Sequence, residues 1–168
     1  MNPWFTITLL GAPEIWILTT PAVLAAYLLP VKKMDKRGKA LFKKFAFVYI
    51  ASILLTALLV VLLKNTMQTN RPCIPCIPPL TECNPYCLFD NGFPSGHSAM
   101  IFAVFTTFWL VLRRKWSYAL FFVPLLVASS RYFLGVHRIV DIVAGACIGI
   151  VVPILIIKVY EKKPKIRL

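Results

Sequence analysis

Five apolar stretches dominate this chain, and each comes close to the length of about 20 residues that a helix needs to cross the hydrocarbon core of a membrane. Hydrophobic residues make up 59% of the 168 residues, and the mean hydropathy is +0.76. Backbone polar groups in lipid must be paired within the segment, and the alternating pattern of a membrane barrel is absent, so these stretches predict helices. We therefore expect an all-α integral membrane bundle of about five transmembrane helices, forming a single domain over residues 1–168. The stretches are Pro13–Leu29, Phe45–Leu63, Gly96–Leu112, Trp116–Leu134 and Ile139–Ile157.

The first ten residues form a further apolar segment, Met1–Leu10, which Gly11 separates from the first stretch. No Lys or Arg precedes this segment, which is atypical of a secretory signal. We expect a short N-terminal interfacial helix with Trp4 at the level of the lipid headgroups. The alternative is that these residues simply lengthen the first span.

The 19 Lys and Arg residues are distributed unevenly between the two sides of the predicted bundle. Fifteen fall in the first loop, the third loop and the C-terminal tail, whereas the second and fourth loops hold only four. Because basic residues accumulate in cytoplasmic loops, we expect a plasma (inner) membrane protein whose N-terminus is periplasmic or extracellular and whose C-terminus is cytoplasmic. The same distribution accounts for the net charge of +13 without a nucleic-acid partner. The four outward residues are Lys64, Arg71, Arg131 and Arg138.

Polar groups suited to holding a phosphate lie at the ends of the apolar stretches. Arg71 and Arg131 can each present two parallel N–H donors to phosphate oxygens, and Lys64 adds a third positive charge. Ser95 and Gly96 precede the third stretch, where the free N–H groups of a helix N-terminus attract anions. A helix start with Ser95 as a simple cap is the structural alternative. These groups belong to three segments, residues 64–72, 94–97 and 130–141.

Two histidines and one aspartate complete the polar set. His137 and Asp141 are four residues apart, so they would share a face of a helix that starts near His137. An aspartate in this position accepts a hydrogen bond from one ring nitrogen, fixes the tautomer and leaves the other nitrogen free to attack phosphorus. An unpaired carboxylate inside a span is costly, which also favours this pairing. The residues alone do not decide whether His97 or His137 is the nucleophile.

In order and in spacing, the three segments match K-x6-RP, PSGH and SR-x5-H-x3-D. The chain therefore resembles the type-2 phosphatidic acid phosphatase superfamily from Lys64 to Asp141. The resemblance implies a lipid phosphatase that needs no metal and no cofactor and works through a phosphohistidine. It makes His137 the nucleophile and Asp141 its orienting partner, while His97 protonates the leaving oxygen and then activates water. The implied phosphate-binding residues are Lys64, Arg71, Ser95, Gly96 and Arg131, and Arg138, outside the motif, is a candidate for contact with a lipid headgroup.

The partner implied by the resemblance is a membrane lipid phosphate or diphosphate in the bilayer. The candidates are lipid A 1-phosphate, undecaprenyl diphosphate, phosphatidylglycerol phosphate and phosphatidic acid, and the small size with an outward site slightly favours lipid A 1-phosphate. Two alternatives share the motif residues. A vanadate haloperoxidase-like enzyme conflicts with the apolar composition, and a lipid-phosphate binding protein without turnover would not need His97, His137 and Asp141 together.

Four cysteines, Cys73, Cys76, Cys83 and Cys87, lie in the second loop. A structural zinc site is one interpretation. The loop is expected to face an oxidising compartment, however, where thiols pair, so two disulfides are favoured. The sequence leaves three connectivities open. Crosslinks and the interleaved prolines would hold the first two phosphate-site segments at a fixed distance.

Overall fold

The computed structural model describes residues 3–28, 35–76, 83–113 and 115–162, without the side chains of Lys115 and Trp116. Within these residues every regular element is helical, apart from an isolated bridge between Pro75 and Asn84. The predicted all-α fold is therefore confirmed. The helices are α1 (Pro3–Leu9), α2 (Pro13–Leu28), α3 (Lys36–Met67), α4 (Gly96–Leu112), α5 (Phe122–Phe133) and α6 (Ile139–Lys162), with a 3-10 segment, Lys115–Phe121, directly before α5.

Three helical segments have the length and composition needed to cross a membrane, namely Pro3–Leu28, Lys36–Met67 and Ile139–Lys162. Two shorter apolar segments, Gly96–Leu112 and Ser117–Phe133, accompany them. Together these segments account for the five predicted stretches. Large apolar side chains are exposed along their outer faces, as in Leu18, which is 74% exposed. An apolar surface of this extent is typical of contact with lipid.

Two predicted boundaries are wrong for physical reasons. The second stretch was predicted to begin at Phe45, but α3 begins at Lys36, where Asp35 caps the helix by accepting from the backbone N–H of Gly38 at 2.9 Å. Hydropathy marks only the apolar middle of a helix, whereas Lys, Ala and Leu extend it at little cost. The fourth stretch is not a single helix, because a 3-10 turn precedes α5. The predicted end of the first stretch, Leu29, lies outside the described residues.

Helix α4 is the centre of the bundle and contacts α2, α3, α5 and α6. Its residues are buried on nearly all sides, which explains why it has no polar face. The closest packing is with α6, where Gly145 and Gly149 face α4. A Cβ atom at Gly145 would meet the backbone carbonyl oxygen of Ser95, and one at Gly149 would meet that of Ala99. These two glycines allow the backbones of α4 and α6 to approach each other closely.

The N-terminal residues form a helix of their own, α1, which packs against α5. Together with α2 it also makes one segment of membrane-spanning length, Pro3–Leu28, as in the alternative. Trp4 stacks on Phe133 with a ring-centroid distance of 4.4 Å. Its location at a membrane interface stays a prediction. The link to α2 passes close to α4 and α5, because a Cβ at Gly11 would meet Val127 and lie 3.3 Å from the carbonyl oxygen of His97.

The loop between α3 and α4 carries the two predicted disulfides. Cys73 pairs with Cys87 and Cys76 with Cys83, which selects a nested connectivity from the three that the sequence allowed. The loop is also tied to the turn after α5, because Asn84 donates from Nδ2 to the carbonyl oxygen of Leu134 at 2.7 Å. Residues 77–82 of this loop lie outside the described part.

Candidate active site

A cavity of about 210 Å³ opens between α2, α3 and α4, and all three motif segments contribute to its lining. One wall is apolar, with Ile17, Val60 and Met100 among its residues. The other end is polar. The three motif segments meet at this cavity, as the sequence predicted that they form one site. The side chains at this polar end belong to Lys64, Arg71, Asp90, His97 and His137.

Lys64 lies in the last turn of α3. It was predicted from the sequence to lie in the second loop, and that placement is wrong. A cation is favourable at the end of α3 because the final carbonyl groups of the helix carry partial negative charge. Its ammonium donates to Oδ2 of Asp90 at 2.6 Å and to the carbonyl oxygen of Asn91. Asn91 in turn donates from Nδ2 to the carbonyl oxygen of Lys64 at 2.9 Å. The loop after α3 thus returns to hold Lys64 in position.

Arg71 is the second cation, and only 4% of its side chain is exposed. Its Nε donates to Oδ1 of Asp90 at 3.0 Å, and its Nη2 donates to the same oxygen. On the other side, Nη1 donates to the carbonyl oxygen of Val136 at 3.0 Å and lies 3.0 Å from Nε2 of His137. Arg71 therefore links the loop after α3 to the histidine segment.

Arg131 is the third cation and lies in the last turn of α5, where it is 3% exposed. Its Nη1 donates to Oγ1 of Thr8 in α1 at 2.9 Å. Its Nε and Nη2 are buried and have no hydrogen-bond partner among the described residues. Buried guanidinium donors without an acceptor are costly. An anion bound beside these two nitrogens would supply the missing acceptors, although Arg131 does not itself line the cavity.

Ser95 occupies the N-cap position of α4, but its hydroxyl makes no capping hydrogen bond. The Oγ atom is buried and has no partner among the described residues. The simple cap considered from the sequence is therefore wrong. The backbone N–H of Ser95 donates to the carbonyl oxygen of Asp141 at 2.9 Å, which fixes the start of α4 against α6. Gly96 and His97 follow in the first turn, where N–H groups have no helical acceptor and attract anions.

His137 and Asp141 come together, although not as two residues of one helix. Helix α6 begins at Ile139, so His137 lies in the preceding turn. The helix does start near His137, at Ile139 as the fifth apolar stretch predicted, so only Asp141 of the pair lies within it. Nδ1 of His137 nevertheless lies 3.5 Å from Oδ2 of Asp141, and the same oxygen accepts from the backbone N–H of Arg138 at 2.9 Å. At this distance the two groups are neighbours without a hydrogen bond, and Nδ1 has no other partner among the described residues.

The imidazole of His137 is neutral at physiological pH. Burial is the largest cause, and the positive charges of Arg71, Arg131 and Lys64 add to it, so that the pKa of His137 falls to about 2. A neutral imidazole whose Nδ1 proton points to Asp141 keeps the lone pair on Nε2. His137 lines the cavity, and its assignment as the nucleophile stays a prediction.

Arg138 is exposed and does not line the first cavity. It lines a second cavity with Pro72, Tyr132 and His137, and His137 is therefore shared by the two cavities. Its predicted contact with a lipid headgroup stays a prediction.

Three residues at the site were not predicted from the sequence. Asp90 lies in no motif segment, and only the run Asp90-Asn91-Gly92, which is typical of a turn, marks its position. Thr8 is 123 positions away from Arg131, so no local pattern relates them. Gly145 was not singled out either, although its spacing from Gly149, that of a small-residue contact between membrane helices, is a signal that could have found it.

These features define the class of the protein, an integral membrane helical bundle with a cationic cavity at one end of its central helix. Residues 45–165, well over half of the chain, match the model of the PAP2 superfamily. The chain belongs to this superfamily, in agreement with the resemblance of its three motif segments.

Individual relatives agree with this membership. The lipid A 4'-phosphatase of Porphyromonas gingivalis is 38% identical over 72 residues, a match that covers 41% of this chain but only 30% of that relative. The phosphatidylglycerolphosphate phosphatase of Bacillus subtilis, a transmembrane PAP2-type protein, superposes with a TM-score of 0.65 at 24% identity, over 99% of this chain and 82% of the other. LpxE of Aquifex aeolicus gives a TM-score of 0.60 at 26% identity, over 94% and 88%.

Proposed function

We propose that this protein is a membrane lipid phosphatase that removes a phosphate from a lipid phosphate or diphosphate through a phosphohistidine at His137, without a metal or cofactor. One observation carries the proposal. Arg131 Nε, Arg131 Nη2 and Ser95 Oγ are buried in the motif segments without partners, and a phosphate would supply the missing acceptors. Membership of the PAP2 superfamily and the lipid phosphatases among the relatives support it.

The chemistry follows from the groups around the cavity. Nε2 of His137 attacks phosphorus while the bond between phosphorus and the leaving oxygen breaks, and His97 gives that oxygen a proton. His97 then takes a proton from water, whose oxygen attacks phosphorus as the bond to Nε2 breaks, and phosphate is released. Asp141 holds Nδ1 and stabilises the positive charge that develops on the ring. The three cations stabilise the extra charge on the five-coordinate phosphorus.

The substrate that we propose first is a phosphate of lipid A. The relative from Porphyromonas gingivalis is named for lipid A 4'-phosphate, and our preference from the sequence is the 1-phosphate. The apolar wall next to the cations suits a lipid whose phosphate enters the polar end from the bilayer. Undecaprenyl diphosphate, phosphatidylglycerol phosphate and phosphatidic acid are the alternatives.

Purified protein in detergent should release phosphate from at least one of these four lipids, and the activity should persist in EDTA. The reason is that three cations supply the electrostatic stabilisation for which other phosphatases use metal ions. Phosphate release is measured for each lipid with EDTA and with added magnesium. Activity that EDTA abolishes and magnesium restores would contradict the metal-free mechanism, and no release from any lipid would contradict the proposed function.

We also propose that the site faces the periplasm or cell exterior. The unequal distribution of basic residues supports this orientation. The two disulfides support it independently, because thiols pair in oxidising compartments, and the loop between α3 and α4 that holds both disulfides, here called the disulfide loop, also carries Arg71.

Labelling of engineered cysteines tests this orientation. In a Cys147→Ser background, a membrane-impermeant thiol reagent added to spheroplasts should modify Phe89→Cys, since Phe89 is 74% exposed in the disulfide loop. Lys36→Cys, at the start of α3, should react only after the membrane is permeabilised. The reverse pattern would place the site on the cytoplasmic side.

A further inference from the structure

Asp90 holds two of the cations that the phosphate needs, although no motif includes it. We propose that Asp90 is a built-in competitor of the substrate, whose carboxylate occupies Lys64 and Arg71 in the ligand-free enzyme and must be displaced by the phosphate before His137 can attack. The proposal rests on the proposed function and adds a residue that sets its affinity for phosphate.

The carboxylate takes the place of two phosphate oxygens. Its Oδ2 lies 2.6 Å from the ammonium of Lys64, and its Oδ1 accepts from Nε and Nη2 of Arg71. Arginine binds carboxylate and phosphate through the same planar donors, so the two anions compete for one position. Burial alone would raise the pKa of Asp90, but the hydrogen bonds from Lys64 and Arg71 outweigh it and lower the pKa below its usual value. The competitor is therefore charged at neutral pH.

Exposure indicates which partner leaves. The side chain of Asp90 is 45% exposed, whereas those of Lys64 and Arg71 are 15% and 4% exposed. Its neighbours Leu88 and Phe89 are 51% and 74% exposed, so the Asp90 side chain can rotate outward without uncovering the core. Because the cations are enclosed and the carboxylate lies at the surface, binding of phosphate displaces Asp90 rather than the cations.

Displacement also affects the nucleophile. Nη1 of Arg71 lies 3.0 Å from Nε2 of His137. In the ligand-free enzyme the arginine therefore donates a hydrogen bond to the lone pair that would attack phosphorus. A phosphate that replaces Asp90 gives Arg71 new acceptors and draws it from His137. Exchange of one anion for the other thereby couples binding to exposure of the attacking nitrogen.

The cations keep other attachments when Asp90 is gone. Lys64 still donates to the carbonyl oxygen of Asn91, and Arg71 still donates to that of Val136. Removal of the carboxylate should therefore leave the phosphate site formed and unoccupied. A residue that merely supported the cations would have the opposite effect, because its loss would weaken phosphate binding.

Calorimetric titration of orthophosphate into purified protein in detergent tests the proposal. We expect Asp90→Asn to bind orthophosphate about two- to thirtyfold more tightly than wild type, which corresponds to the release of two partly exposed ion pairs. Asp90→Glu keeps the charge and should bind close to wild type. The matched control is Glu14→Gln, because Glu14 lines the same cavity but forms no described ion pair with either cation. This control should change the affinity clearly less than Asp90→Asn does.

Equal or weaker binding by Asp90→Asn would overturn the proposal, and so would an equal gain in Glu14→Gln, which would reveal a general effect of charge. Elution from a size-exclusion column verifies folding, and Asp90→Ser provides the same measurement if Asp90→Asn aggregates. The titration needs no turnover. A wild type that hydrolyses none of the lipids would contradict the proposed function, while the comparison of orthophosphate affinities would still decide the role of Asp90.

Discussion

His137→Ala is expected to abolish phosphate release, with a fall in kcat of about 10⁴-fold or more, as is typical when a covalent nucleophile is removed. In the proposed mechanism, Nε2 of His137 forms the bond to phosphorus. Its partner Asp141, 3.5 Å from Nδ1, has no function in the proposed chemistry without the imidazole. Initial rates of phosphate release from the preferred lipid measure the effect.

His97→Ala provides the comparison. The fall in kcat caused by His97→Ala should be smallest on a substrate with a good leaving group, such as a nitrophenyl phosphate, because protonation of the leaving oxygen then matters less. His137→Ala should be inactive on both kinds of substrate. Normal turnover by His137→Ala would refute the choice of nucleophile. If His137→Ala and wild type both bind orthophosphate but neither releases phosphate from a lipid, the binding protein without turnover would be the better hypothesis.

Local sequence was sufficient for the elements of this fold and for both ends of α4, but not for both ends of α3. The apolar stretches predicted the helices because burial in lipid requires nearly continuous apolar sequence. Helix α3 nevertheless begins at Lys36, since the capping by Asp35 and the helix propensity of the lysines are invisible to hydropathy. The same extension at the other end places Lys64 on a helix, and this determines the direction in which its ammonium reaches Asp90.

The candidate site was predictable to the extent that motif spacing encodes it. The contacts that complete the site join residues remote in sequence. Thr8 supports Arg131 from another helix, and Asp90 binds Lys64 across a disulfide loop. Such pairs depend on the path of the chain in space rather than on periodicity. The disulfide pairing is a similar case. The expected compartment of the loop predicted two disulfides, but only the folded loop selected Cys73–Cys87 and Cys76–Cys83.

Gly145→Ala is expected to reduce kcat by about 10²-fold, although Gly145 touches none of the proposed reacting groups. A Cβ at this position would meet the carbonyl oxygen of Ser95 and lie 3.2 Å from the backbone nitrogen of Ala99. These are backbone atoms of the start of α4, so no side-chain rotation relieves the contact and the helix must move. That movement separates Ser95 from Asp141, whose carbonyl oxygen accepts its N–H at 2.9 Å.

Two control variants separate displacement of the site from general loss of packing. Cys147→Leu enlarges an exposed residue on the same helix and should change neither kcat nor thermal stability appreciably. In Gly149→Ala the added Cβ would meet the carbonyl oxygen of Ala99, one turn further from the cavity. Both glycine variants should lose about 1–3 kcal/mol of stability, the usual cost of overpacking.

The ratio of the two effects is the decisive measurement. Gly145 lies one turn from Asp141 and opposite Ser95, so its substitution should lower kcat far more than Gly149→Ala does at a similar loss of thermal stability. Equal losses of kcat would mean that activity follows the stability of the bundle alone. A Gly145→Ala variant with wild-type kcat would mean that the close approach of α4 and α6 does not position the phosphate site. The larger fall in kcat is expected in Gly145→Ala because the contact between α4 and α6 at this glycine keeps the PSGH segment at a fixed distance from the His137–Asp141 pair.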